Sequence, residues 1–212
     1  MSQGVFSFQY EVDNKRSDMT ALGGLPVYLE FGHVIGLTGC LRERLGTKED
    51  YAGWSSDGVI MSLVLLNLAG GECVDDLRIL KGDEGFCRVL TEIKGYALPR
   101  KARRAKGSEQ KDSKAFPSPS TVFRALGMFH DNAQELLRES GKAFIPSPNE
   151  NLRSLMSAHR DFVARVQRLA PVKVATLDMD ATLIETNKKD TLYSYKGYKA
   201  FQPLNTYWAS RS

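Results

Sequence analysis

Cysteine, histidine and long apolar runs are all scarce in this chain, and each scarcity excludes something. Cys40, Cys73 and Cys87 are odd in number and widely spaced. They cannot frame a disulfide-stapled fold, and their apolar neighbours mark them as reduced core thiols of a cytoplasmic protein. His33, His130 and His159 lie apart from the cysteines and from one another, which leaves no zinc-ligand spacing. No apolar run approaches the roughly 18 residues at which a membrane span becomes the default, so no membrane partner is expected. The opening M-S-Q-G-V-F-S-F-Q-Y has no basic start followed by an apolar core, the pattern of a secretion signal.

What remains is enough for a globular body. The 212 residues, 42% hydrophobic, can build one large domain or two small ones with ample core. Val5 to Val12 alternates apolar and polar, as a short strand or extended arm would. Gly23, Gly24 and Pro26 fit a helix start near Leu25, and Leu37 to Leu45 reads as a second short helix. Ser56 caps a helix that is apolar nearly all round and stops at Gly70-Gly71, the pattern of a buried central helix. Asp75 to Leu80 and Asp83 to Leu90 follow as short amphipathic helices.

Charge is unevenly placed. Between Lys94 and Lys114 eight lysines and arginines face only Glu109 and Asp112. That segment carries +6 of a net +4, which leaves −2 for the rest. Without apolar periodicity it reads as a mobile loop, either a solvated linker or a surface for a polyanion. Arg100, Lys101, Arg103, Arg104 and Lys106 would then neutralise phosphates and release counterions. Directly after it, Ser118-Pro119 opens a helix through Phe129. A capped helix behind a basic loop is one way a DNA-contacting helix is presented. Ser118, Ser120, Thr121 and Arg124 would be its contacts; Ser-Pro-Ser also caps many helices that touch nothing. His130 to Ser140 reads as a further helix. Ser147-Pro148 opens the longest, which runs from about Asn149 to Leu169 with Leu152, Leu155, Met156, His159, Phe162, Val163 and Val166 as its apolar stripe.

Val172 to Glu185 reads V-K-V-A-T-L-D-M-D-A-T-L-I-E, a run of strand formers holding two aspartates. Alternation puts Asp178, Asp180 and Thr182 on one face, and Leu177, Met179, Ala181 and Leu183 on the other. Two explanations compete: an edge strand with one face in water, or carboxylates desolvated against a divalent metal, which takes oxygen ligands. Then T-N-K-K-D makes a turn into a tyrosine-rich strand, L-Y-S-Y-K-G-Y-K-A-F-Q-P-L, with Gly197 shifting the phase as a bulge would. The two strands form a hairpin.

The strand T-L-D-M-D-A-T followed by Y-S-Y-K-G-Y-K-A-F-Q-P-L resembles the insertion-sequence DDE transposases, specifically the insertion sequence 1380 group. G-G-L-P near Gly23, L-L-N-L-A-G-G-E and P-S-P-S-T-V-F-R agree with it in the same order. The resemblance implies a mainly α N-terminal region followed by the first β-hairpin of an α/β RNase H-like domain. By region this gives a helical part over 1–93, the basic loop over 94–116, a helical DNA-contacting and connecting part over 117–170, and the start of the catalytic domain over 171–212. Such domains hold two Mg²⁺ ions on Asp, Asp and Glu, about 3.5–4 Å apart. The family's D-x-T pattern falls on Asp180 and Thr182, so Asp180 is the expected first metal ligand and catalytic residue, with Asp178 as the alternative. The second Asp and the Glu would lie beyond the tyrosine strand. The only carboxylates after Asp180 are Glu185 and Asp190, both in or beside the turn. The expected protein is therefore a truncated transposase that does not cut DNA alone, or a regulatory remnant that competes for element ends. Its implied partners are double-stranded DNA and either itself or full-length transposase, in a bacterial cytoplasm and on the nucleoid when bound.

Overall fold

Gly24-Leu25-Pro26 does what the sequence leads one to expect: it starts helix α1, Leu25–Val34, with proline in the first turn. The computed structural model describes residues 20–46, 50–51, 53–93, 115–139, 142, 144–188 and 191–209. The expected arm at Val5 to Val12 and the basic segment from Lys94 to Lys114 lie outside them. After α1 the chain reverses at Gly36, whose φ of +89° favours glycine. It continues as α2, Leu37–Leu45. A short hairpin follows, β1 (Asp50–Tyr51) against β2 (Trp54–Ser55), turning at Gly53. It was not expected, because two-residue strands carry no readable alternation.

The central helix α3, Ser56–Leu68, begins one residue earlier than its sequence suggested, with Ser55 in the cap position. Val59, Met61, Leu65 and Leu66 are buried in the core. Ser62 is buried too and donates its hydroxyl to the Gly58 carbonyl at 2.8 Å, which satisfies it inside. The helix closes as a Schellman motif: Gly70 N–H bonds the Asn67 carbonyl and Gly71 N–H the Leu66 carbonyl. Gly70 has φ +80°, so the Gly70-Gly71 stop has a conformational cause.

A 3-10 turn, Val74–Asp76, leads into α4 (Leu77–Gly82) and α5 (Glu84–Glu92). Asp83 caps α5 by accepting from Phe86 N–H at 2.8 Å, and it also takes the Thr20 hydroxyl at 2.7 Å and Ala21 N–H at 3.1 Å. Phe86 stacks at a tilt on Phe116, with ring centroids 5.8 Å apart. Helix α6, Pro119–Leu126, seats Val122 and Ala125 in the same core as Leu29, Leu45, Leu65, Leu80 and Leu90. The cysteines need correction. All three are free thiols, but Cys73 is exposed and Cys40 and Cys87 are only half-buried.

Two helix expectations change. The helix expected over His130 to Ser140 is not continuous: among its described residues only the single turn α7, Asn132–Glu135, forms, capped by Asp131. Leu136 and Leu137 are 86% and 64% exposed, so no buried face offsets the cost of nucleating a short helix. Helix α8, Glu150–Leu169, has Asn149 as its cap, and its stripe is narrower than expected. Ala158 is its one fully buried residue. Met156 and His159 are exposed, whereas Leu152, Leu155, Phe162, Val163 and Val166 are half-buried. Helix α8 packs along α2, with Ala158 and Leu155 against the core and its far side open to solvent among the described residues. Among the described residues, no helix is long and apolar enough to cross a membrane.

The C-terminal part is an antiparallel ribbon. Strands β3 (Leu177–Ala181) and β4 (Ile184–Glu185) run against β6 (Leu204–Trp208) and β5 (Ala200–Phe201). One register persists throughout, from Leu177 opposite Trp208 to Glu185 opposite Ala200. Thr182 N–H reaches the Pro203 carbonyl and Thr186 N–H the Lys199 carbonyl in the same register. Pro203 has no N–H to return, so the ladder is interrupted there. The expected strand from Val172 thus begins only at Leu177. The tyrosine stretch is not one strand. Tyr193 bridges Lys199 around Tyr195-Lys196-Gly197, and Gly197 (φ +83°) closes a turn by donating to the Ser194 carbonyl. This is a hairpin loop, not a bulge within a strand. Ala200 N–H bonds the Leu192 carbonyl while Ala200 also faces Glu185, so the ribbon tip is locally three strands wide. The described chain is a mixed α/β molecule: a helical body and small antiparallel sheets.

Candidate functional site

The ribbon register decides what surrounds the two aspartates. Asp178 lies opposite Tyr207 and Asp180 opposite Asn205, on the face that also carries Thr182. Asn205 donates its side-chain amide to the Thr182 hydroxyl at 3.0 Å, diagonally across the pair. The other face carries Leu177, Met179 and Ala181 opposite Trp208, Thr206 and Leu204. All five β3 residues are exposed, including Leu177 and Met179 at 56% and 63%. The carboxylates are therefore in water, and the strand matches the edge-strand explanation more closely than the desolvated one. Their Cα atoms are about 7 Å apart along the strand, and both offer oxygen donors of the hardness Mg²⁺ prefers. Among the described residues, no three His, Cys, Asp or Glu side chains converge. Asp178 and Asp180 alone fall short of a two-metal ligand set.

The start of α6 is built by its own hydroxyls. Ser118 Oγ accepts from Thr121 N–H at 3.2 Å and lies 2.8 Å from Thr121 Oγ1 and 3.0 Å from Ser120 Oγ. Thr121 is 5% exposed, so its side chain supports the turn from inside and does not face a partner. Ser120 and Arg124 do face outward, with Arg124 Nε donating to the Ser120 carbonyl at 3.3 Å. Arg100, Lys101, Arg103, Arg104 and Lys106 lie outside the described residues.

A second feature was invisible in the sequence. A cleft of about 480 Å³ opens between α2 and α8, lined by residues that include His33, Thr38, Arg42, Arg44, Arg165 and Arg168. Arg44 bonds Asp161 across it at 2.6 Å, and Arg42 reaches Asp57 at 3.3 Å. Burial, reinforced by Asp161 and Glu43 and opposed by Arg165, raises the Cys40 thiol above its ordinary value. Cys40 is thus a protonated bystander at neutral pH. The only advance signal was Asp161, Arg165 and Arg168 on one stripe of a helix, and any exposed helix face can carry that.

Comparison with protein-family models, curated proteins and solved structures finds no match for this chain.

Proposed function

We propose that the chain acts as the DNA-binding part of an insertion-sequence DDE transposase, with the ribbon as the opening hairpin of an RNase H-like domain. The sequence resemblance supports this, and one placement supports it further: Asp178, Asp180 and Thr182 share a ribbon face with a return strand in one register. Asp180 would be the first Mg²⁺ ligand and Asp178 its neighbour, completed by carboxylates from elsewhere. Double-stranded DNA would meet the outward Ser120 and Arg124 of α6, together with the basic segment just before it. An electrophoretic shift series with element-end and scrambled duplexes tests the binding. Retention should fall steeply with salt, and neutralising Arg100, Lys101, Arg103 and Arg104 should flatten the log–log slope by up to about 3.6, at about 0.9 per phosphate contact. Equal binding of both duplexes with no salt dependence would sink it.

A second version has the chain compete for element ends without cutting. It is favoured by what Asp178 and Asp180 provide: two solvated carboxylates with no third ligand beside them among the described residues. Added to intact transposase, the chain should then inhibit strand transfer. Unchanged transfer would remove this version.

A further inference from the structure

The cleft between α2 and α8 is cationic for a specific reason. Helix α8 presents Asp161, Ala164, Arg165 and Arg168 to it, residues three and four apart that share one face. Across the cleft stand His33, Thr38, Arg42, Glu43 and Arg44. Two of the four arginines are already neutralised, Arg44 by Asp161 and Arg42 by Asp57. Arg165 and Arg168 are exposed and have no carboxylate partner among the described residues. The backbone is shaped around one of them. Gly36 sits in the left-handed region, and a Cβ there would lie 2.3 Å from Arg165 Nε. The guanidinium therefore lies across the Gly36 turn, and both residues line the cleft. Beside it the Thr38 hydroxyl is held 3.1 Å from His33 Nδ1.

We propose that this cleft seats the phosphate backbone of a nucleic-acid strand, with Arg165 and Arg168 as its contacts and Thr38 and His33 beside them. The assignment rests on the DNA-binding function above and adds a surface that function did not include. Spacing favours a backbone over a single small anion. Three residues of helix advance about 4.5 Å, while a nucleic-acid strand carries one charge per about 3.4 Å of axis. Arg165 and Arg168 therefore offer two successive cations along α8, as a backbone offers successive charges, and the cleft volume of about 480 Å³ exceeds what one inorganic phosphate needs.

Fluorescence anisotropy of the full chain with a labelled duplex, from about 50 to about 200 mM salt, tests the assignment. Losing two contacts should flatten the slope by about 1.8, so the affinity gap between parent and R165Q/R168Q should shrink about 12-fold across that range. R168Q alone, which leaves the packing on Gly36 intact, should lose about half of that slope change. R165K/R168K should keep the parental slope, because charge and not fork geometry sets counterion release. R78Q, at a residue paired with Asp75 at 2.7 Å on a different element, should match the parent. A parental slope in R165Q/R168Q overturns the assignment. So does weakened binding with no change of slope, and so does binding of inorganic phosphate alone with no duplex bound. If Arg124→Gln weakens binding while R165Q/R168Q does not, DNA binding by α6 stands and the cleft falls. If the parent binds no duplex, both fall. If only the cleft variants weaken binding, the cleft stands and the α6 interface falls.

Discussion

Replacing Asp83 should separate the N-terminal turn from the helical core, because one carboxylate joins Phe86, three residues on, to Thr20 and Ala21, 63 and 62 residues away. Its Oδ1 accepts Phe86 N–H at 2.8 Å, and its Oδ2 accepts the Thr20 hydroxyl at 2.7 Å and Ala21 N–H at 3.1 Å. Loss of a helix cap costs about 0.5–2 kcal/mol. Each hydrogen bond to a charged group adds about 1.5–3 kcal/mol when buried, and far less at a half-buried site such as this. Asp83→Ala should therefore lose about 2–3 kcal/mol, or about 4–12 °C in melting temperature for a chain of this size. Asp83→Asn, an equally good cap, should lose about 1 kcal/mol. The pH dependence carries the sharper test. Burial acts to raise this carboxyl, but the Phe86 N–H, the Thr20 hydroxyl and the Ala21 and Leu22 N–H groups outweigh it and hold the pKa below the ordinary 3.8. A depressed folded value means the contribution is complete above 3.8 and is lost as pH falls through the folded value. Urea unfolding of parent and Asp83→Ala from about pH 7 to about pH 2 should show a constant gap that closes only at the acid end. A gap that persists there, or one under about 0.5 kcal/mol at neutrality, would refute the account.

Two further outcomes follow from the geometry. Ser118→Ala should cost about 1 kcal/mol in urea unfolding, because it removes the α6 cap, whereas the outward Ser120→Ala should stay within about 0.5 kcal/mol; equal losses would show that the hydroxyl ring is not organised by Ser118. Backbone amides of Leu177–Ala181 and Leu204–Trp208 should exchange with solvent much faster than those of Leu65 and Leu66, since the ribbon is exposed and α3 is not. Matching protection would mean that something covers the ribbon in solution.

The local grammar of the helical body was written in the sequence. Pro26, Asp83 and Ser118 mark helix starts, and Gly70 marks a stop, through capping and backbone rules that need no tertiary partner, whereas the α8 cap falls on Asn149 and not on the Ser147-Pro148 pair the sequence offered. The near-continuous apolar run of α3 announced its burial for a different reason, since a helix apolar all round has no face to turn to water. Where packing decides, the sequence misled. His130 to Ser140 read as a helix, but Leu136 and Leu137 stay exposed among the described residues. Met156 and His159 matched a helical stripe that α2 is too narrow to cover. The alternation of Asp178 and Asp180 was legible, because strand side chains alternate whatever the neighbours are. Their solvation was not, because it depends on what lies over the ribbon. The turn at Gly197 is a property of pairing between Tyr193 and Lys199, which composition alone does not determine. The α2–α8 cleft belongs wholly to the tertiary structure. Arg44 and Asp161 are 117 residues apart, and only docking of the two helices leaves Arg165 and Arg168 facing an open cleft.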